Sequence, residues 1–449
     1  MAKSSDMTEG PLFKNIILYT IPIILTSLLQ LLFNAADLVI VGRFKGSLSV
    51  AAVGATGSIT MLIVNLFIGL SVGAGVAVAH GLGGKKYQEV HRTVHTALPA
   101  AIVSGIVLTV LGISLSETLL TMMNTPANVL PLSSIYMKIY FAGITFNMVY
   151  NFSASILRAA GDTKSPLIFL TVAGIINVIL NIIFVTLFDM NVEGVALATT
   201  ISQAVSAVLV VVALMKRTDA CRLELKKMKF YKAQLVKIIR IGLPAGIQGS
   251  LFSISNVIIQ SSINSFGDIV MSGNAAAANI EGFVYVALNS FHQTAVNYIG
   301  QNAGAKKYGR VKRTLWICLV CVTVVGLVAG GAVYSVADKL LSIYITDSTE
   351  AIGYGIIRMT FICLPYFLCG LMDVSTGALR GMGASIAPMI ISVLGVCGVR
   401  IAWIYTVFQI PQYHTPNSLY FSYTVSWTIT FIIQMIAFFF VFKNKKSQI

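Results

Sequence analysis

Apolar runs of about twenty residues or more recur along the whole chain, and no other feature restricts its fold as severely. A helix rises about 1.5 Å per residue, so each run is long enough to cross a hydrocarbon core of roughly 30 Å. Twelve such runs, from Ile16–Val41 to Leu419–Phe442, predict an all-α membrane protein. Composition agrees: 56% of the 449 residues are hydrophobic and 10% charged, outside the range of water-soluble domains.

The formal net charge of +15 would suggest nucleic acid in a soluble protein, but its placement reads instead as membrane orientation. With the N-terminus inside, cytoplasmic segments collect Lys3, Lys14, Lys85, Lys86, nine cations between Lys216 and Arg240, five between Lys306 and Arg313, and Lys443, Lys445 and Lys446. The outer loops hold Arg43, Lys45 and Lys339. This asymmetry predicts a multi-pass protein of a bacterial inner (plasma) membrane with both termini cytoplasmic and no nucleic-acid partner. Ser4, Ser5, Asp6 and Glu9 precede a first run too long for a signal-peptide core, so it reads as a retained helix. Five cysteines fall within spans and Cys221 in the basic loop, which excludes an extracellular disulfide framework. Cys318-x-x-Cys321 lies in an apolar helix with no His or carboxylate beside it and reads as packing. His80, His91, His95 and His414 read as surface residues.

The chain repeats itself at an offset of 220 to 222 residues. Gly83, Lys85, Lys86, Tyr87, Val90, Arg92 and Thr93 fall on Gly304, Lys306, Lys307, Tyr308, Val311, Arg313 and Thr314. Lys138 falls on Arg358, and Leu157-Arg158-x-x-Gly161-x-x-x-x-Pro166 falls on Leu379-Arg380-x-x-Gly383-x-x-x-x-Pro388. Six spans separate equivalent points, so the prediction is two six-helix lobes, 1–215 and 238–449, related by a pseudo-two-fold axis along the membrane normal. The basic segment 216–237 divides them. Such a plan suits a secondary transporter, in which two lobes rearrange about a central site. The loops leave no room for a nucleotide-binding domain and contain no P-loop, so energy must come from an ion gradient. A membrane-embedded enzyme lacks support, because the spans hold no metal cluster or nucleophile constellation.

Asp37, Glu281, Asp373 and Arg400 lie inside predicted spans, where an ionised side chain costs roughly 2.5–3.5 kcal/mol at mid-membrane on insertion scales. They must face protein or water. Thr26, Gln30, Asn34 and Asp37 form one polar stripe on the first helix, and Ser253, Asn256, Gln260 and Asn264 repeat it on the seventh. The rise per residue puts Asp37 roughly 6 Å and Glu281 roughly 9 Å from the outer helix ends, within reach of the outside. Burial favours the protonated form of a carboxylate and a bound cation its ionised form, so Asp37 is suited to exchange a proton or Na+. Arg400 falls at nearly the height of Glu281, which suggests an ion pair between them. Asp373 has no evident partner at its level. His292 shares the eighth span with Glu281, Tyr285, Asn289, Gln293 and Asn297; cavity-facing and structural roles both fit it. Phe33, Tyr150, Tyr285 and Phe291 are further cavity candidates, for which packing is the alternative.

The run Pro22 to Arg43, with Gln30, Asn34-x-x-Asp37 and Val41-Gly42-Arg43, resembles the opening of the multidrug and toxic compound extrusion (MATE) family. The paired Leu-Arg-x-x-Gly-x-x-x-x-Pro segments and Gly-x-Lys-Lys-Tyr loops resemble it too, and the likeness spans essentially the whole chain. The resemblance implies two lobes around a cavity, and export of organic, often cationic and amphiphilic, small molecules in exchange for H+ or Na+. It also implies an N-lobe cation site, matched here by Asp37, Asn177, Asn181 and Thr199, with Na+ or a proton at Asp37 and no other cofactor. The seventh span has no acid, so a second C-lobe site of the family pattern is not expected; Glu281, Asp373 and Arg400 make a separate charged network. The expected particle is a monomer in the bilayer. A lipid-linked oligosaccharide flippase of the same superfamily is the alternative, and would need several cavity cations where Arg400 alone stands out.

Overall fold

The structure is a computed structural model that describes residues 6–123, 125–346 and 348–447; Lys3, Ser4 and Ser5 lie outside the described residues. Every regular element among the described residues is helical. The first repeat holds α1 (Leu12–Lys45), α2 (Ser47–Gly83), α3 (Tyr87–Met122), α4 (Leu130–Ala142), α5 (Ile144–Ala159), α6 (Lys164–Ile182) and α7 (Val192–Met215). The second holds α8 (Lys232–Asn264), α9 (Asp268–Gly304), α10 (Tyr308–Ser335), α11 (Ala337–Tyr344), α12 (Thr349–Phe361), α13 (Tyr366–Gly381), α14 (Ile386–Ser392), α15 (Val399–Tyr405) and α16 (Pro416–Lys446).

Among the described residues nine helices are long and apolar enough to cross a membrane, and the pair α12 and α13, bent by 45°, makes ten. The two remaining spans of the twelve are α9, diluted by Asn274, Glu281, His292 and Asn297, and the α4–α5 rod. That rod is interrupted at Gly143, where the sequence suggested one continuous run. A Cβ on Gly143 would lie 2.4 Å from Thr200 Cγ2, so glycine lets α7 come close. The second repeat breaks at the equivalent place, between Phe361 and Tyr366, where Pro365 cannot continue the helix.

The duplicated loop motifs build duplicated turns. Lys85 and Lys306 adopt left-handed backbone (φ 55° and 59°), as do Gly161 and Gly383 (φ 88° and 81°). The amides that follow close back on the helix ends: Lys86 N–H on the Gly81 carbonyl (2.8 Å), Lys307 on Asn302 (2.9 Å), Asp162 on Leu157 (2.9 Å) and Ala384 on Leu379 (3.0 Å). These are helix C-caps of the left-handed kind, which explains the recurring glycines.

Two packing units result. One is Ile21–Ser250 with Asp6 and Met7; the other is Thr8–Thr20 with Leu251–Ile449. They differ from the sequence segments: the start of α8 packs with the first unit and the start of α1 with the second. The cause in the first unit is a seam of glycines. A Cβ on Gly69 would sit 2.2 Å from Gly246 N, and one on Gly242 2.5 Å from Leu70 Cα, so α2 and α8 touch backbone to backbone. The core of that unit is built on Leu108, Met137, Phe141, Met148 and Phe152; Tyr420 and Trp427 dominate a core cluster of the other.

The basic segment 216–231 is seated on α3 rather than free. His95, expected at the surface, is fully buried beneath it. Its Nδ1 lies 2.7 Å from the His91 carbonyl, which requires Nδ1 to donate, so Nε2 is the acceptor for the Glu224 amide at 3.0 Å. Arg217 bonds Asp219, and Cys221 is buried.

Candidate functional site

In the first unit, four polar residues from three helices meet. Asn177 and Asn181 stand one turn apart on α6, Asp37 comes from α1 and Thr199 from α7. Asn181 Nδ2 donates to Asp37 Oδ1 and contacts Asn177 Oδ1 at 3.3 Å; Asn177 Nδ2 reaches Thr199 Oγ1 at 3.4 Å. Thr199 Oγ1 lies 3.3 Å from Asp37 Oδ2 and 2.9 Å from the Val195 carbonyl. One hydroxyl proton cannot serve both acceptors, and the carbonyl is nearer. Asp37, 8% exposed, therefore holds its charge against one firm donor and a shared one. Asn181 Oδ1 is buried and has no hydrogen-bond partner among the described residues. A half-rotation of that amide would bring Oδ1 beside the carboxylate in place of the NH2. The group is an oxygen-rich nest, a donor set that fits a small hard cation or a proton.

Local sequence explains how the nest forms. Gly174 precedes Asn177 and Asn181 on one face of α6, and the Phe33 ring, one turn before Asp37, lies over it. A Cβ on Gly174 would come within 1.8 Å of Phe33 Cε2, so only glycine lets α1 approach near enough for Asp37 to reach Asn181. Directly after Asn181 the helix widens into a π-turn, Ile183–Leu187, a distortion common at functional sites. Toward the 46 and 188–191 loops the nest is closed by an apolar plug. Val41, Val185 and Val195 each stand one turn beyond Asp37, Asn181 and Thr199, and pack with Ala52 and Val192. Beyond the plug Lys45 pairs with Asp189 and Ser49 bonds Asn191 (2.6 Å).

In the second unit the expected Glu281–Arg400 pair does not form. Glu281 Oε2 accepts from Arg358 Nη2 (2.8 Å) and Nε (3.2 Å). Arg358 Nη1 donates to Asn274 Oδ1 (2.7 Å), to which Tyr420 also donates (3.2 Å). Arg400 instead bonds Ser426 (2.9 Å) and lies over the Tyr423 ring, 3.8 Å from its centroid, and near Trp427. The rise per residue sets a position along each helix but not a direction around it. Arg358 lies in a run that averages as apolar; its sequence signal is its match to Lys138, which itself pairs with Glu117 at 3.6 Å.

Asp373 is linked to Asn289, and its backbone carbonyl receives His292 Nδ1 at 2.7 Å. Arg380 Nη1 lies 3.5 Å from His292 Nε2, so His292 is held structurally. Tyr285 stacks on Tyr366. Of the cavity candidates, Tyr150 and Phe291 are corrected to core residues: both are buried, and the Tyr150 hydroxyl donates to the Pro166 carbonyl. Phe33 packs on Gly174. Gln30, Asn34 and Asn256 are exposed, while Gln260 bonds Asn264 and Asn274.

The fold and its sites define a duplicated twelve-span helical membrane protein with one buried acid nest in the first unit and a guanidinium–aromatic network in the second. The MatE family model matches residues 22–183 and 244–406, and the chain belongs to that family of membrane transporters. "Probable multidrug resistance protein YoeA" of Bacillus subtilis (strain 168) is 25% identical over 98% of this chain and 96% of its own length. "Multidrug export protein MepA" of Staphylococcus aureus (strain NCTC 8325 / PS 47) is 23% identical over 86% of this chain and 85% of its own. A solved structure described as the outward-facing conformation of a multidrug resistance MATE family transporter of the MOP superfamily superposes with a TM-score of 0.92 at 19% identity. It covers 100% of this chain and 99% of its own, which establishes a common fold.

Proposed function

We propose that this protein exports organic small molecules, with cationic amphiphiles as the main class, in exchange for H+ or Na+ bound in the first unit. The observation that carries the reading is the under-satisfied Asp37 nest, with Asn181 Oδ1 beside it, which has no hydrogen-bond partner among the described residues. Names of the relatives support a multidrug substrate range. The nest offers oxygen acceptors for a cation, which suits a transport role.

The coupling logic follows from desolvation. An ionised Asp37 behind the valine plug costs free energy that a bound cation or proton offsets. Cation binding therefore favours the state in which the nest is closed, and substrate must favour another for exchange to occur. Asp37 and Thr199 would supply oxygens directly; Asn181 would turn its Oδ1 inward and Asn177 would hold it in place. Orientation with both ends cytoplasmic rests on the distribution of Lys and Arg.

The test is efflux of a fluorescent organic cation from proteoliposomes under pH and Na+ gradients imposed separately. Wild-type protein should respond to one of them. Asp37→Asn should insert normally and lose gradient-driven efflux; retained efflux would remove the proposal.

A further inference from the structure

The two repeats treat one surface differently. In the first unit the chain before α8 is seated on the opening turns of α3: the Glu224 amide on His95 Nε2 (3.0 Å), the Tyr231 amide on Thr96 Oγ1 (3.2 Å), and Arg92 5.6 Å over the Tyr231 ring. The repeat offset carries Glu89, His91, Arg92, His95 and Thr96 onto Arg310, Lys312, Arg313, Trp316 and Ile317 of α10. In the second unit those five residues, with Gly309 and the turn Gly10–Leu12, line an open cavity of about 790 Å³. The seat that protein fills in one repeat is left open by the described residues in the other, and its chemistry has changed from an acid and two histidines to two cations and a tryptophan.

Arg310 is committed to protein, donating to the carbonyls of Gly10 (3.1 Å) and Glu9 (3.0 Å). The Glu9 carboxylate faces Lys307 at 3.8 Å. Lys312 and Arg313 are exposed and make no hydrogen bond or ion pair among the described residues. Below them Trp316, Val320, Val324 and Leu327 follow at spacings of four, four and three, all about half exposed, so an apolar stripe runs from the cavity floor down the span. Cations above and an apolar track below match a phosphate ester carrying acyl chains. Tryptophan is the residue expected between the two.

We propose that this cavity seats the headgroup of an anionic phospholipid, with Lys312 and Arg313 on its phosphate and an acyl chain along the Trp316–Leu327 stripe. Each Lys or Arg near an anionic lipid surface contributes about fivefold in affinity. Delipidated full-length protein in detergent is titrated with phosphatidylglycerol, phosphatidylcholine and soluble glycerol phosphate, and bound lipid is counted by native mass spectrometry. Phosphatidylglycerol should bind more tightly than phosphatidylcholine. Lys312→Ala/Arg313→Ala should weaken it about 30-fold, and Trp316→Ala should weaken the lipid but not glycerol phosphate. Lys216→Ala/Lys226→Ala, which removes equal charge from exposed positions elsewhere, should change nothing. Equal loss in that control, equal binding of phosphatidylcholine, or displacement by glycerol phosphate at lipid-like concentration would each overturn the assignment.

Discussion

Removing one partner of the Glu281–Arg358 pair should cost more than removing both. Two charge-assisted donors from Arg358 converge on a single oxygen, Glu281 Oε2, at 2.8 and 3.2 Å, while Glu281 Oε1 has no hydrogen-bond partner among the described residues. Breaking a buried pair by deleting one member costs about 3–5 kcal/mol, because the other charge stays behind uncompensated. The surroundings make the two single changes unequal. In Glu281→Gln the guanidinium keeps Asn274 at 2.7 Å and the faces of Tyr420 and Tyr423, so the loss should fall at the lower end, about 3 kcal/mol. In Arg358→Met the carboxylate loses both of its donors, and the loss should approach about 5 kcal/mol. Glu281→Gln/Arg358→Met leaves no buried charge and should lose less than either, which by the cycle is a coupling of about 5 kcal/mol or more. Thermal unfolding of the four purified proteins in one detergent measures the cycle. Additive losses would refute the pairing. A milder loss for Arg358→Met than for Glu281→Gln would refute the role given to Asn274 and the tyrosine rings.

Gly174→Ala places a carbon 1.8 Å from Phe33 Cε2 and should cost about 1–3 kcal/mol while abolishing gradient-driven efflux; adding Phe33→Leu should restore part of both, and no restoration would separate Phe33 from the nest. Gly246→Val drives side-chain carbon into backbone, its Cβ 2.1 Å from the Leu66 carbonyl oxygen, whereas nothing lies within 4 Å of a Cβ at Gly54. Size-exclusion profiles of detergent extracts should therefore show aggregation for the first and none for Gly54→Ala. Burial pushes the Cys221 thiol up to about 12, so it should resist maleimide near neutral pH and react in His95→Ala, where the Glu224 amide loses its acceptor; rapid labelling of wild-type protein would show that the segment is not seated. Burial alone would raise the Asp219 carboxyl, but the hydrogen bonds and charge of Arg217 overcome it and leave the group below its ordinary value. A group lowered by folding stabilises at pH above its unfolded value and loses that contribution as pH falls through its folded value. Proteolysis within 216–231 should accordingly quicken only on acidification below the ordinary carboxylate range; quickening toward alkaline pH would reverse the sign and discount the pair.

What could be read without coordinates was whatever depends on neighbours along one chain. Span length, the repeat and the Thr26-to-Asp37 stripe are matters of rise and period within single helices, and all are visible as spacing. The resemblance of the opening helix and the paired loops pointed to Asn177, Asn181 and Thr199 as companions of Asp37. The plug of Val41, Val185 and Val195 one turn beyond them is not legible in the sequence, since valines in apolar helices carry no distinguishing signal.

Tertiary structure alone decided which faces meet. Counted by rise, Glu281 and Arg400 fall at one depth, yet the angle of each side chain around its helix sends the first to Arg358 and the second to Tyr423. Rise per residue says nothing of that angle. The same holds for the packing units, where glycines on α2 and α8 let backbones touch and draw the start of α8 into the first unit. A glycine in sequence shows that close approach is permitted; only the fold shows what approaches.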